Sequence, residues 1–139
     1  MKAAFGKFCE LVGLAAYALG IRNILIAAVA YYDDEGKPGP EPLFLQFPAD
    51  PLLNGRRVLI VDDVWDSGRT IMAVRERVLD AGGIPETAVL HYKPNRTTYN
   101  NVRPDYYIDE TDAWIVYPWD VGEANLTTTS AVLESLSEA

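Results

Sequence analysis

The stretch Val58–Thr70, VLIVDDVWDSGRT, decides how this chain is read. Val58 to Val61 is a short apolar run, mostly β-branched, of the kind that forms a buried strand. It ends on two carboxylates, Asp62 and Asp63, and so delivers them to the strand's C-terminal end, the edge of an open α/β sheet where ligands bind. Asp66-Ser67-Gly68-Arg69-Thr70 then opens a helix. A glycine turn there leaves N–H groups pointing outward, and the helix dipole favours an anion. Ser67 and Thr70 add hydroxyl donors. Such a loop can hold a phosphate monoester while the carboxylates accept hydrogen bonds from vicinal hydroxyls, and phosphate beside diol is the outline of a ribose 5-phosphate. A plainer reading stands next to it: Ser67 or Asp66 simply caps the helix and the acids are solvated.

Outward from this centre, Thr70–Asp80 is helical, with Ile71, Val74 and Val78 on one face and Gly82–Gly83 after it. Thr87–Tyr92 reads as a strand, Lys93–Arg103 as a polar loop, and Tyr106–Ile108 and Trp114–Val116 as short strands. On the other side, Pro48–Arg57 is loop, and Leu43, Leu45 and Phe47 alternate as in a strand. Asp33–Pro42, DDEGKPGPEP, is a breaker-rich loop. Ile24–Tyr32 is a continuous apolar run, consistent with a strand buried on both faces. Residues 2–19 read as a helix stopped by Gly20, and Ser130–Leu136 suggests a last one. Strand and helix alternate in the middle of the chain, so a parallel α/β sheet follows.

The chain has 139 residues, the length of one ordinary domain, and 20 acidic against 12 basic side chains give a formal charge of −8. That balance argues against nucleic acid as a main partner, since such binding begins with Lys and Arg neutralising phosphates. It leaves room for a small phosphorylated ligand held by backbone N–H groups, a metal ion or a few placed cations. The single cysteine, Cys9, rules out an intramolecular disulfide, and the single histidine, His91, rules out a His-rich metal site. Arg22 and Asn23 split the apolar stretch 11–32 into pieces too short for a bilayer, which takes about 20 residues. The expectation is a cytoplasmic protein with no membrane partner.

A strand ending in two acids also occurs in response-regulator receiver domains. Those carry the acid pair near the N-terminus and a later lysine, whereas here 61 residues precede Asp62 and no lysine follows Lys93. Val58–Thr70 instead resembles the PRPP (phosphoribosyl pyrophosphate) motif of type I phosphoribosyltransferases: apolar strand, two acids, two variable residues, Asp, Ser or Thr, Gly, any residue, Thr. His91–Pro94 (HYKP) with Pro104–Asp120 (PDYYIDETDAWIVYPWD) is similar to the bacterial and archaeal xanthine/hypoxanthine/guanine enzymes. The resemblance covers about residues 15–122 and implies a Rossmann-like parallel sheet with helices on both faces, one domain over 1–139 with a tail at 121–139.

It also implies an activity, transfer of a 5-phosphoribosyl group from PRPP to an oxopurine (guanine, hypoxanthine or xanthine) with release of pyrophosphate, in purine salvage. Asp62 and Asp63 would hold the ribose hydroxyls directly or through Mg²⁺, the implied cofactor. Ser67, Gly68, Arg69 and Thr70 would hold the 5-phosphate, and Asp66 would act as general base. Lys93 would donate to the purine 6-oxo group, Trp114 would stack on the base, and the Ile115 carbonyl would accept from a 2-amino group. Asp120 would sit near the metal or the base edge. The plainer readings are a solvated Lys93, a core-packed Trp114 and a turn acid at Asp120. A homo-oligomer, a dimer, is the expected assembly.

Two departures bear on activity. Family members begin with a strand and an Arg/Lys-Gly-Gly loop that binds pyrophosphate. Here Ala18-Leu19-Gly20-Ile21 matches the following helix end, but only Gly6-Lys7 stands where that loop belongs, with no room for the strand before it. A shortened chain, a partner subunit filling the slot, or a variant that binds a nucleotide without turnover each accounts for this. The Ser-Tyr pair after the second strand is Tyr31-Tyr32 here.

Overall fold

The computed structural model describes residues 5–32, 37 and 39–117. The chain forms two compact units, one of Met1–Arg22 with Trp114–Ala139 and one of Asn23–Ala113.

In the first unit, helix α1 (Phe5–Ala18) carries Gly6 and Lys7 inside its first turn. Its other end follows from Gly20, whose φ of 69° is open to glycine at no steric cost. With the chain reversed there, the Ile21 N–H donates to the Ala16 carbonyl at 2.8 Å and the Gly20 N–H to Tyr17 at 3.1 Å, which satisfies two of the last carbonyls. Residues 114–117 have no regular structure. The strand expected at Trp114–Val116 therefore does not form, because no ladder among the described residues reaches it. The helix expected at Ser130–Leu136 lies outside the described residues.

The second unit holds the sheet. Strands β1 (Ala28–Tyr32) and β2 (Glu41–Gln46) form an antiparallel hairpin, with Tyr31 opposite Pro42 and Val29 opposite Phe44. This corrects the reading of Ile24–Tyr32 as a strand buried on both faces. Only its second half finds a partner, and Ile24, Leu25 and Ile26 stay exposed without a ladder. Ala27, Val29, Phe44 and Phe47 pack on one side, against Leu53, Val74, Val78 and Ala81.

Strands β3 (Arg57–Trp65), β4 (Ile84–Tyr92) and β5 (Tyr106–Glu110) form a parallel sheet in that order. Helix α2 (Arg69–Asp80) crosses from β3 to β4 and packs on both, burying Ile71, Val74 and Val78, the face that the helical spacing marked. β3 runs four residues beyond Val61, so Asp62 and Asp63 lie within the strand, not at its end. The register pairs Val64 with His91 and Trp65 with Tyr92. That register brings the turn after β3 beside the turn after β4, so two sequence motifs almost thirty residues apart open at the same sheet edge.

Candidate functional site

The turn 66–68 between β3 and α2 is shaped by Gly68 and Trp65. Gly68 sits at φ 81°, a left-handed conformation that side chains rarely adopt. A Cβ there would lie 2.3 Å from the Trp65 indole nitrogen and 2.5 Å from Cε2. Only a residue without a side chain lets the turn close on the ring. Trp65 itself is 1% exposed and forms the floor of the turn. Gly68 is the N-cap of α2 and its carbonyl accepts from Met72 N–H at 3.0 Å. The first-turn N–H groups of a helix have no acceptor within it. Of these, the Arg69 N–H meets Ser67 Oγ at 3.3 Å. Capping by Ser67 or Asp66 in the ordinary N-cap position is thus replaced by a glycine cap.

The acids differ sharply in state. Asp62 Oδ1 accepts the Asp63 N–H at 2.9 Å. Burial first, and the Asp63 carboxyl second, push Asp62 up to about 7. Asp66 moves the other way. Its Oδ1 accepts from Arg96 Nε at 2.9 Å, and its Oδ2 lies 3.6 Å from Lys93 Nζ. The Arg96 hydrogen bond, with Lys93 adding to it, holds this carboxyl below the usual range against the opposing effect of burial. Asp66 is accordingly a carboxylate at neutral pH, and the Lys93 side chain, 5% exposed, is buried beside it.

The polar segment after β4 is fastened to the turn after β3. Lys93 N–H donates to the Trp65 carbonyl at 3.0 Å, and Thr98 donates through both N–H and Oγ1 to the Ser67 carbonyl, each at 3.0 Å. The Trp65 indole N–H donates to Thr97 Oγ1 at 3.1 Å. On the opposite side, the Arg69 guanidinium lies over the Tyr31 ring, 4.5 Å from its centroid, and donates to the Pro40 carbonyl. The hairpin therefore also reaches the turn.

Asp62, Asp63, Asp66, Ser67, Gly68, Arg69, Thr70 and Lys93 all fall in this one unit, Asp62 and Asp63 within β3, Asp66 to Thr70 in the turn and helix start after it, and Lys93 just after β4. Trp114 and Ile115 belong to the other unit, where the Trp114 ring is exposed, not packed in a core. Asp120 lies outside the described residues. His91 sits on β4, opposite Val64 and Asp109. Sequence reasoning did not find Trp65, Arg96, Thr97 or Thr98. Trp65 stood among the variable positions of the motif, and the other three lay in a segment read only as polar loop; a glycine that must touch an indole is a relation between residues, with no sequence signature of its own.

As to a metal, no group of three or more His, Cys, Asp or Glu side chains able to cage one occurs among the described residues. Mg²⁺ usually takes one or two carboxylates, with the rest of its shell from water and substrate phosphates, and the adjacent Asp62 and Asp63 would be the ones to supply them. Among the described residues, no helix is long and apolar enough to cross a membrane.

Residues 10–125 match the model of the phosphoribosyl transferase domain. The chain is 34% identical over 104 residues to a xanthine-guanine phosphoribosyltransferase of Gluconobacter oxydans, an alignment covering 73% of this chain and 56% of that protein. It thus spans little more than half the length of that curated relative. A purine phosphoribosyltransferase from Pyrococcus horikoshii is similar in structure, with TM-score 0.65 and 34% identity over 79% of this chain and 68% of the other. A hypothetical protein from Neisseria gonorrhoeae with bound ppGpp is similar at TM-score 0.53 and 28% identity, over 76% and 63%. The strand–turn–helix centre and the parallel sheet around it are those of the type I fold, and the chain belongs to the phosphoribosyl transferase family.

Proposed function

We propose that the protein transfers a 5-phosphoribosyl group from PRPP to an oxopurine, giving the nucleoside monophosphate and pyrophosphate. The observation that carries this reading is the pairing, at one sheet edge, of the Gly68 turn with the ionised Asp66 and the buried Lys93. The 5-phosphate would rest on the first-turn N–H groups of α2, with Ser67 and Thr70 adding hydroxyls. Asp62 and Asp63 would accept from the ribose hydroxyls or hold Mg²⁺, which supplies charge neutralisation on the departing pyrophosphate. The ring nitrogen of the purine forms a bond to the ribose C1 as the C1–O bond to pyrophosphate breaks. The electron pair leaves with pyrophosphate, and Asp66 takes the ring proton. Lys93 would donate to the 6-oxo group. Adenine presents a donor at that position, so a buried ammonium selects against it. A homodimer belongs to the same reading, supported by a β3 that pairs only with β4 among the described residues and by exposed Leu59 and Val61 on it.

The test is direct. With PRPP, Mg²⁺ and guanine, hypoxanthine or xanthine, the monophosphate should form. Asp66→Asn should lower turnover by on the order of 10²- to 10⁴-fold and leave GMP binding nearly unchanged. Turnover that survives the change sinks the assignment of Asp66.

A second reading is a regulatory domain that binds PRPP or a purine nucleotide without turnover. The position of Gly6 and Lys7 inside α1 favours it, because the one stretch that echoed a pyrophosphate loop is helix. The relative with bound ppGpp is compatible with such a role. GMP binding with no product from any of the three bases is the result that would select it.

A further inference from the structure

The strongest feature that the proposed chemistry leaves unused is Arg96. Its guanidinium is 61% exposed, yet it is built into place from several directions. Its own N–H donates to the Lys93 carbonyl at 3.2 Å and closes a turn. The preceding residue, Asn95, donates through N–H and Nδ2 to the two oxygens of Asp112, at 3.0 and 2.5 Å. Asp112 is in turn held at the end of β5, where Thr111 N–H donates to the Tyr92 carbonyl at 3.0 Å. One and two residues beyond Arg96, Thr97 and Thr98 fasten the segment to Trp65 and Ser67. Arg96 therefore sits on a short strap pinned at both ends, and the strap presents its Nε to Asp66.

We propose that Arg96 is a positioning residue for Asp66: Nε on Oδ1 at 2.9 Å, opposed by Lys93 Nζ at 3.6 Å from Oδ2, fixes the carboxylate in one orientation toward an incoming purine N–H. This rests on the reading of Asp66 as the proton acceptor. The physical need is plain. Asp66 lies in a bend outside regular structure and its side chain is about a third exposed, 35%. A side chain so placed would otherwise spread over staggered rotamers, and only one of them would meet the purine edge. Two cations on two oxygens select one. The cations facing Asp66 are Lys93 from the end of β4 and Arg96 from the strap, and the carboxylates facing Arg96 are Asp66 and Asp112. Asp112 thus acts at one remove, by fixing the turn that carries Arg96.

Arg96→Ala and Arg96→Lys, compared with the unaltered protein and Asp66→Asn, test this. Arg96→Ala should lower kcat about tenfold, leave KM for PRPP within about twofold, and move the acid limb of the pH profile upward. Arg96→Lys, which keeps the charge, should return that limb and recover most of the rate. A second readout needs no turnover: the ¹³C carboxyl signal of Asp66, assigned by its loss in Asp66→Asn, should titrate at higher pH in Arg96→Ala. If kcat, acid limb and carboxyl midpoint are all unmoved in Arg96→Ala, the pair is a solvated surface contact and the proposal is overturned. If the carboxyl moves while Asp66→Asn keeps full turnover, Arg96 still holds Asp66 but the proton-acceptor reading fails. The two failures are thus distinguishable.

Discussion

Replacing Asp62 by Asn should make this protein more stable, and by an amount that grows with pH. Asp62 is pushed from 3.8 to about 7 by burial and by Asp63. In the unfolded chain it ionises near pH 4. In the folded protein it keeps its proton until about pH 7. Between those values the folded state binds a proton that the unfolded state has released, so stability falls as pH rises through that window and is flat above it. Moving one carboxyl midpoint that far corresponds to about 4 kcal/mol once both states are ionised. Asparagine keeps an oxygen to accept the Asp63 N–H and carries no charge. Asp62→Asn should therefore exceed the unaltered protein by up to about 4 kcal/mol at pH 8 and by about 2 kcal/mol at pH 5.

Urea unfolding with metal chelated reads this directly. The gain at pH 8 amounts to roughly 2 M in midpoint for a slope of about 2 kcal/mol per molar. Every other titrating group is common to the two proteins, so the difference between their pH profiles isolates Asp62. Equal midpoints at pH 8, or a difference that does not change between pH 5 and 8, would refute the assignment of a buried, proton-retaining carboxyl beside Asp63. The same substitution should impair ligand binding, because a functional acid kept at a cost in stability is the usual exchange at a site.

Gly68→Ala should cost about 2–4 kcal/mol in thermal unfolding, from a left-handed backbone and a Cβ driven into Trp65. It should also abolish nucleotide binding in calorimetry, and a variant that still binds GMP normally would mean that the turn is not the phosphate site. Ser67→Ala combined with Thr70→Ala should weaken GMP binding about tenfold or more with little change in unfolding midpoint, and unchanged affinity would remove both hydroxyls from the site.

Much of this site is legible in a few residues of sequence because each has a local cause. A β-branched run that must be buried, acids that follow it, a glycine before a helix and apolar residues at helical spacing are all short-range statements. They locate β3, α2 and the turn between them to within a few residues. What escapes is whatever depends on a partner elsewhere in the chain. Ile24–Tyr32 has the composition of a doubly buried strand, yet its pairing is decided by where β2 lies, and half of it forms no ladder. Val58–Val61 gives no sign that the strand continues through Asp62 to Trp65; that extension is enforced by the register with β4. The strap of Asn95, Arg96, Thr97 and Thr98 reads as polar loop because its order comes from Asp112, Asp66, Trp65 and Ser67, and no window of sequence contains all of these.

The net charge poses a problem that the site geometry answers. On the proposed function, a chain of charge −8 would hold a polyanion. Fixed charges on the far surface matter little, because physiological salt screens them within about 8 Å. What counts is the charge close to the Gly68 turn. There the two adjacent carboxyls do not contribute two full charges, since Asp62, at about 7, is protonated in roughly half the molecules at neutral pH. Asp66 is offset by Lys93 and Arg96. The remaining attraction comes from N–H groups at the start of α2, which carry no net charge and need no counterion. An acidic protein could bind a phosphate in this way because Asp66 is paired and Asp62 carries only part of a charge. It follows that the substitutions most damaging to phosphate binding should be those that unpair an acid or block an N–H group, and that adding surface lysines elsewhere should do little.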